Sequence, residues 1–278
     1  MRVAASLVAV CCASIASAQP GSRAATYEVE AIRFATIPAF RVSGLIAGAD
    51  TSRRLDIAMS VWLLRGEGRN VLVDAGFHRQ RYIDGWKPAG YISPAEAVRQ
   101  AGVDPNSVSD IVITHIHWDH ADGIDLFPRA NVWIQAEEYN HYVSPMTGEP
   151  KDRAIESEVA AMLFDLHRRG RLRLIDGDAK EILQGITAYT GGRHTYASQY
   201  VGVRTGAGAV VIASDDLYLY ENLEKRLAIA QTLDAESNLR AQDRMKTIAS
   251  DVRLIVPGHD PAVFDRFSRP GKGIARIQ

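Results

Sequence analysis

The chain has 278 residues, of which 46% are hydrophobic and 23% are charged. One domain of this length can bury a large core, so a division into two domains is not required. Basic and acidic residues nearly cancel, with a net charge of −1, and no stretch is basic and aromatic enough to follow a phosphate backbone. The composition therefore gives no electrostatic case for a nucleic-acid partner.

The N-terminus has the composition of a secretory signal peptide over residues 1–18. Arg2 precedes an apolar stretch, which ends in Ala16-Ser17-Ala18 before Gln19-Pro20. A charged start, an apolar middle and small residues at the end are typical of such peptides. We therefore expect residues 19–278 to form the folded domain of a secreted or periplasmic protein. Because a membrane span needs about 20 apolar residues, we expect no stable membrane insertion.

Both cysteines, Cys11 and Cys12, lie in this N-terminal segment. The mature domain would then contain neither a disulfide bond nor a thiolate that binds metal. A lipid anchor attached through one of the two cysteines is an alternative. The small residue expected before Cys11 in such an anchor is missing, which favours the signal peptide.

Several strands and loops can be predicted in chain order from hydrophobic periodicity and turn residues. Residues 27–34 alternate roughly as an edge strand would. Residues 36–57 have mixed polarity and predict a long loop, a kind of segment that is often functional and here is expected to cover a pocket. Further along, Gly66-Glu67-Gly68 predicts a hairpin between two apolar strands.

Three helices are predicted in the same way. Ser93-Pro94-Ala95-Glu96 has the N-cap, the first-position proline and the capping-box glutamate of a helix start, and Gly102 ends that helix. Apolar residues three and four apart predict an amphipathic outer helix over residues 154–169, which stops at Gly170. A final helix is predicted from about residue 234 to residue 250.

The stretch Ile-Val-Ile-Thr-His-Ile-His-Trp-Asp-His, residues 111–120, is the most informative segment of the chain. Its β-branched run predicts a strand, which leads directly into imidazole and carboxylate groups suited to zinc and its neighbours. In extended backbone, residues two apart point the same way, so His115 and His117 are expected to hold one ion. Asp119 and His120 follow where the chain turns and are expected to face a second ion.

The second half of the chain supplies further candidate ligands, each just after a glycine-marked or β-rich segment. They are His194, Asp215 or Asp216, and His259. Such segment ends converge on one edge of a layered α/β fold. The histidines complete two sets: His115, His117 and His194, and Asp119, His120 and His259. Either Asp215 or Asp216 would bridge the two ions, which describes an open dinuclear centre of the catalytic kind.

In these motifs the chain resembles the metallo-β-lactamase superfamily over nearly its whole length. Residues 114–120 match the H-x-H-x-D-H signature, and the segments at His194, Asp215 and Pro257-Gly258-His259-Asp260 match the later ligand segments in order. The resemblance implies an α/β fold, the αβ/βα four-layer sandwich, with residues 19–278 as its catalytic domain. It also implies that Asp74 supports the metal ligands without itself binding a metal ion.

Finer features resemble the N-acyl-homoserine lactonase branch of that superfamily. Ser214-Asp215-Asp216-Leu217-Tyr218 is similar to the lactonase segment in which the bridging aspartate precedes a catalytic tyrosine by three residues. The alignment implies Asp215 as the bridge and Tyr218 as the phenol over the site, with Tyr220 as the fallback.

One segment departs from the family pattern. Arg193-His194-Thr195-Tyr196-Ala197-Ser198 stands where the family has Gly-His-Thr-Pro-Gly-His. None of the replaced residues is a metal ligand in the lactonases, so the departure concerns the wall of the pocket rather than the metal centre.

Together the resemblance and the ligand set predict a metal-dependent hydrolase that opens an N-acyl-homoserine lactone or a related lactone by attack of metal-bound hydroxide. Two divalent transition-metal ions, with zinc preferred, are the expected cofactors, because the ligands are mostly imidazoles. Tyr218 would donate a hydrogen bond to the carbonyl oxygen, and Asp119 would carry a proton to the leaving oxygen. The partner is a small-molecule lactone or ester, and the oligomeric state stays open.

Four alternatives follow from the same residues. A periplasmic metallo-β-lactamase shares the fold but would not be expected to have a bridging aspartate at position 215. An ester or phosphotriester hydrolase of the same fold is also open. A di-iron oxidoreductase would need a flavin partner domain or an additional carboxylate ligand. Outside the enzymes, the alternative is a binding protein that the metals merely stabilise.

A few residues near these motifs have a simpler expected role. His78, His141 and His167 lie outside the ligand pattern and are expected to be surface or hydrogen-bonded histidines. Trp118 is expected to pack against or line the pocket. Asp260 is expected to cap a helix or to accept a hydrogen bond behind the site.

Overall fold

The computed structural model describes residues 26–278. The predicted signal peptide, residues 1–18, lies outside the described residues. The strands are β1 Glu28–Arg41, β2 Arg54–Gly66, β3 Arg69–Val73, β4 Val108–Val112, β5 Asn131–Gln135, β6 Leu172–Ile175, β7 Lys180–Leu183, β8 Ile186–Thr190, β9 Gln199–Thr205, β10 Gly208–Ser214, β11 Ile255–Pro257, β12 Ser268–Gly271 and β13 Ile274–Ile277. The helices are α1 Gln80–Trp86, α2 Pro94–Gln100, α3 Trp118–Ala121, α4 Ala136–Tyr142, α5 Ser157–Arg168, α6 Tyr220–Lys225, α7 Ala235–Ile248 and α8 Val263–Arg266.

The strands form two sheets. The first has 8 strands in the order β12-β13-β1-β2-β3-β4-β5-β6, and the second has 5 in the order β11-β10-β9-β8-β7. In both sheets a parallel pairing carries candidate ligands: β3 with β4, and β10 with β11. Because the carboxyl ends of parallel strands meet at one edge, the segments after β4, β10 and β11 end close together.

Four layers are stacked around apolar cores. Between the sheets, Trp62 and Val73 of the first sheet pack in one cluster with Val201 and Ile212 of the second. The outer face of the first sheet packs against α2 and α5, whereas Met245 of α7 packs with the outer face of β10. Helix, sheet, sheet and helix follow one another, so the predicted αβ/βα four-layer sandwich is confirmed.

Most of the predicted elements are confirmed. Gly66 ends β2 and leads into β3 through the predicted hairpin. Ser93 caps α2, its side chain accepting from the Glu96 amide, and Gly102 follows that helix with a φ of +85°. The two later helices, α5 and α7, begin and end within three residues of the predicted limits.

The prediction of a long loop over residues 36–57 is wrong. β1 runs to Arg41 and β2 begins at Arg54, so only residues 42–53 connect them. The pairing shifts between Ile37 and Phe40, where Ala39 adopts a φ of +49°. This β-bulge breaks the alternation of polar and apolar residues, which is why the sequence looks irregular there.

The prediction of an edge position for the first strand is also wrong. β1 lies between β2 and β13, with Val29 paired to Ile277 at the far end of the chain. A partner so distant in sequence leaves no local signal. Within residues 26–278, no helix is both long and apolar enough to cross a membrane.

Candidate metal centre

The segment after β4 carries four candidate ligands in the predicted arrangement. The chain leaves the sheet at Val112, bends at Thr114, has extended dihedral angles at His117 and then forms the single helical turn α3. His115 is buried before the turn, and Asp119 and His120 lie within it. The change from extended to helical backbone is what directs the two pairs of side chains to different positions.

The structure brings all seven predicted ligands into two adjoining groups. The first is His115, His117, His194 and Asp215, and the second is Asp119, His120, His259 and Asp215. Within each group the ligand atoms lie within 4.8 Å of one another. Asp215 is the member that both groups share.

The two oxygens of Asp215 face different groups. Oδ2 lies 3.7 Å from His115 Nε2 and 3.4 Å from His194 Nε2. Oδ1 lies 3.3 Å from His120 Nε2 and 3.0 Å from His259 Nε2. A carboxylate whose oxygens point to separate ligand sets has the geometry that a bridge between two ions requires.

The neighbouring Asp216 has another role. Its Oδ1 accepts hydrogen bonds from the Gly192 amide at 2.7 Å and the Ser198 hydroxyl at 2.9 Å. A Cβ at Gly191 would collide with its carboxylate, and one at Gly192 would collide with Asn238. Both glycines are therefore required for the close approach of the segment that carries His194.

Buried hydrogen bonds hold the imidazoles from behind. Asp74 is fully buried, and its Oδ2 accepts from His120 Nδ1 at 2.8 Å and from the Ser214 hydroxyl at 2.9 Å. Backbone carbonyls orient two other rings: His194 Nδ1 donates to Gln231 at 2.7 Å and His259 Nδ1 to Ala58 at 3.0 Å. Such contacts leave Nε2 of each ring directed into the site.

The residues present fit a pair of transition-metal ions. His115 Nε2, His120 Nε2 and Asp215 Oδ1 are buried and have no hydrogen-bond partner within residues 26–278. Buried polar atoms almost always have a partner, so three converging exceptions indicate that these atoms serve another bond. Imidazole and carboxylate donors are the ligands that zinc and its neighbours prefer.

The balance of burial and neighbouring charges favours the metal-binding form of His115, His117 and Asp215. Although burial opposes it, the carboxylates of Asp215 and Asp119 raise the pKa of His120 and His259. Burial and the neighbouring imidazole of His194 lower the pKa of His117 to about 4. Burial and the imidazole of His120 lower the pKa of His115 well below its usual value, so both rings are neutral with a free lone pair. Burial opposes ionisation of Asp215, but attraction to His120 and His259 holds the pKa of that carboxyl well below its usual range.

Tyr218 is the tyrosine next to the candidate ligands. It is 3% exposed, lines the same cavity as Asp119 and Asp215, and places its hydroxyl 3.3 Å from His194 Nδ1. Burial and the nearby carboxylate of Asp215 raise its pKa well above the usual value, so the phenol keeps its proton. The fallback, Tyr220, instead packs beneath the Arg266 guanidinium at 3.7 Å, among residues buried between the sheets.

A cavity of about 200 Å³ adjoins both ligand groups. Apolar side chains from β1, β2 and the loops form one side of it, and the ligand segments form the other. The lining residues are Ile37, Phe40, Leu45, Ile57, Met59, Trp86, His117, Trp118, Asp119, Asp215, Tyr218, Gln231 and His259. Trp118 stacks on Tyr82 at 4.4 Å and on Trp86 at 5.6 Å between ring centroids. It is thus a wall residue, as expected.

A second groove of about 500 Å³ lies beyond one wall of the cavity. Phe40 and Trp86 line both spaces and stack with ring centroids 6.1 Å apart. These two rings therefore separate the inner cavity from the outer groove. The end of β1, which contains the bulge, was predicted to be a loop over the pocket. It forms part of the pocket wall, but as a strand.

The three histidines outside the pattern lie in neither ligand group. His78 hydrogen-bonds to Asp125, His141 stacks on Tyr196, and His167 contacts the hydroxyl of Tyr139. Asp260 accepts hydrogen bonds from the amides of Tyr220 and Ala262. These contacts fit its expected role as a hydrogen-bond acceptor, and Asp260 is half-buried.

Four residues close to the site were not singled out by the sequence. Phe40 and Trp86 wall the cavity, the Gln231 carbonyl orients His194, and Glu138 is buried behind the ligand segments. Phe40 lay within the segment predicted to be a loop over the pocket, and no motif indicated a role for Trp86. Glu138 follows the exposed Glu137 at the start of a helix, and nothing in the local pattern distinguishes the two carboxylates.

Comparison with known proteins identifies relatives of this fold and site. The model of the metallo-beta-lactamase superfamily matches residues 58–259. An N-acyl homoserine lactonase of Bacillus cereus is 26% identical over 222 residues, which are 74% of this chain and 82% of the relative. A lactonase of a Bacillus species is 25% identical over 221 residues, with the same shares covered.

Lactonases are among the solved structures with the same fold. A variant of AiiA from B. thuringiensis, with N-decanoyl-L-homoserine bound at its active site, has a TM-score of 0.70 at 20% identity and covers 86% of this chain and 95% of its own. AidC, a dizinc quorum-quenching lactonase, has a TM-score of 0.63 at 13% identity and covers 91% and 97%. With its ligand groups at the shared edge of the two sheets, and with the family model spanning both, this chain belongs to the metallo-β-lactamase superfamily.

Proposed function

We propose that the protein is a dinuclear metal-dependent lactonase that hydrolyses N-acyl-homoserine lactones or related lactones. The observation that carries the proposal is that Asp215 directs one oxygen towards each ligand group. Tyr218, whose phenol keeps its proton, lines the same partly apolar cavity. The similarity to curated lactonases, at 25–26% identity over 74% of the chain, supports the same substrate class.

The metals would be held by the two groups that share Asp215. Zinc is preferred because five of the six non-bridging donors are imidazoles and no described ligand is a thiolate. When bound, such ions lower the pKa of a water and polarise a carbonyl oxygen. The signal-like residues 1–18 favour action in the periplasm or outside the cell.

The residues around the ions would carry out the rest of the reaction. Tyr218 donates its hydroxyl to the lactone carbonyl oxygen, a hydrogen bond that strengthens as negative charge develops. Asp119 is 16% exposed at its side chain and lies 3.5 Å from His120 Nε2, at the wall of the cavity. From there its carboxylate takes a proton from the attacking water and passes it to the ring oxygen that leaves.

The apolar side of the cavity would receive the acyl group. Phe40 and Trp86, from outside the ligand segments, and Trp118, from within one of them, line the cavity with aromatic rings. Burial of an acyl chain against such a surface contributes about 0.8 kcal/mol for each CH₂ group. In the related AiiA structure, an N-decanoyl-L-homoserine occupies the active site.

A panel of substrates tests the proposal. Purified protein, metal-free and after zinc is restored, is assayed by pH-stat with N-acyl-homoserine lactones, simple γ- and δ-lactones, nitrocefin, aryl esters and phosphotriesters. The proposal predicts that lactones give the highest kcat/KM and that activity depends on the metal. A preference for nitrocefin would favour a β-lactamase, and a preference for esters or phosphotriesters would favour another hydrolase. Oxygen consumption without hydrolysis would favour an oxidoreductase.

A further inference from the structure

Glu138 is a buried carboxylate that the proposed reaction does not use. It lies in the first turn of α4, just after β5, and has no solvent exposure. Its Oε1 accepts hydrogen bonds from the Thr195 hydroxyl at 2.6 Å and the Ile116 amide at 3.3 Å. Its Oε2 accepts from the Ala197 amide at 2.6 Å. Three donors therefore converge on one side chain.

The three donors belong to the two segments that carry one ligand group. Ile116 lies between His115 and His117, and Thr195 directly follows His194. The two segments are about 80 residues apart in sequence and come from different sheets. Glu138 therefore joins the two segments, in addition to the backbone hydrogen bond from the Gln199 amide to the Thr114 carbonyl at 2.9 Å.

The other ligand group has its own buried acceptor. Asp74 accepts hydrogen bonds from Nδ1 of His120 and from the amide and hydroxyl of Thr114. It also accepts from the hydroxyl of Ser214, the residue before the candidate bridging aspartate. Asp74 and Glu138 thus stand behind different halves of the site. Asp74 contacts a ligand ring directly, whereas Glu138 contacts only the backbone and the hydroxyl beside the ligands.

Glu138 is a costly residue to bury. Among residues 26–278 no cationic side chain lies near enough to offset its burial, which raises its pKa to about 7. An acidic side chain without a cationic partner is disfavoured in the interior unless hydrogen bonds compensate for the loss of water. Neutral side chains of similar size would fill the space, so the carboxylate is present for its capacity to accept several hydrogen bonds at once.

We propose that Glu138 is a positioning residue that aligns the segment of His115 and His117 with that of His194, so that the three imidazoles form one metal pocket. This inference rests on the proposed metal centre and extends it to a residue outside the ligand set. Because the carboxylate touches neither ion nor substrate, its removal acts on one half of the site through the backbone.

The test compares two matched substitutions. Glu138→Gln keeps the size but replaces one acceptor oxygen by an amide NH₂, which then faces a donor. Asp110→Asn is the control: Asp110, in the middle of β4, is 2% exposed and accepts from Trp133 Nε1 at 2.9 Å and Ser109 Oγ at 2.8 Å. It also pairs with Arg69 at 3.3 Å and belongs to neither ligand group. Metal-free forms of each variant and of the wild type are titrated with Co²⁺, followed by visible absorption and by metal analysis.

We expect the wild type and Asp110→Asn to bind Co²⁺ alike. Glu138→Gln should lose about ten- to a hundredfold in affinity for one ion while the other binds normally. A loss of this size is usual when a residue that orients a metal ligand is replaced. Unchanged binding by Glu138→Gln, or an equal loss in Asp110→Asn, would overturn the proposal. Should Glu138→Gln fail to fold, Thr195→Val removes one donor and is expected to weaken the same ion; unchanged binding there overturns the proposal equally.

The result is independent of the substrate. If the wild type hydrolyses no lactone but Glu138→Gln still loses one ion selectively, the positioning role stands and the lactonase proposal alone fails. If the wild type hydrolyses lactones and Glu138→Gln binds Co²⁺ normally, the function stands and the positioning role fails.

Discussion

Replacing Tyr218 by Phe isolates the role of one hydroxyl. The ring contacts with His194 and His259, at centroid distances of 5.6 and 5.8 Å, remain. The lost hydrogen bond is long, at 3.3 Å, and His194 Nδ1 keeps its shorter bond of 2.7 Å to Gln231. We therefore expect the fold and the metal content to be unchanged, with a loss in stability of at most about 1 kcal/mol.

The same substitution should strongly reduce turnover. Removing one donor to a developing oxyanion costs about ten- to a thousandfold in kcat, which corresponds to about 1.4 to 4 kcal/mol in the activation free energy. Since the bond strengthens only in the transition state, KM should change less than kcat. Steady-state hydrolysis of hexanoyl-homoserine lactone measures both constants.

Tyr220→Phe is the matched control for this experiment. Tyr220 is also 3% exposed, but it lies between the sheets and does not line the cavity. Its variant should keep the wild-type kcat. A Tyr218→Phe enzyme with full turnover, or an equal loss in Tyr220→Phe, would refute the role assigned to the Tyr218 hydroxyl and leave a dinuclear hydrolase of unassigned substrate.

Three further predictions follow. Asp215→Asn should lose metal and hydrolysis, whereas Asp216→Asn should keep both, because Asp216 belongs to neither ligand group and its Oδ1 can still accept from Gly192 and Ser198; metal analysis with the reverse result would assign the bridge to Asp216. Phe40→Ala or Trp86→Ala should join the inner cavity to the outer groove and raise kcat/KM for decanoyl relative to butanoyl lactones by about tenfold. An unchanged preference for acyl-chain length would contradict the idea that these two rings separate the cavity from the groove. Burial raises the pKa of Glu138 from 4.5 to about 7. Its carboxyl therefore holds a proton more tightly in the folded state than in the unfolded state. Its contribution to the free energy of unfolding is full below pH 4.5 and is lost as the pH rises through 7. In metal-free protein, the unfolding free energy of the wild type relative to Glu138→Gln should fall over that range, and a constant difference would contradict the shift.

The ligand positions could be predicted from the sequence because they are set by local structure. A β-branched run followed by His115 and His117 places two imidazoles on one side of extended backbone, and a glycine or the end of a strand precedes each later ligand. Those features depend on neighbours in sequence. The four-layer fold was predicted from the family resemblance that these segments carry.

What the sequence did not reveal depends on distant contacts. The bulge at Ala39 turns an apparent loop into the end of a strand, and its register is fixed only by pairing with β2. The interior place of β1 depends on Ile277, almost at the other end of the chain. The role of Glu138 depends on hydrogen-bond donors from two remote segments, and that of Trp86 depends on its stacking with the ring of Phe40. Such roles arise from tertiary packing and leave no periodic signal.

A zinc titration of the metal-free enzyme tests the central claim most directly. Zn²⁺ is added in steps, bound metal is measured by calorimetry, and hydrolysis of hexanoyl-homoserine lactone is followed in the same samples. The two ligand groups that share Asp215 predict that activity rises until about two equivalents are bound and then stays constant. Full activity at one equivalent would contradict the dinuclear centre, and two bound equivalents without lactone hydrolysis would contradict the lactonase assignment.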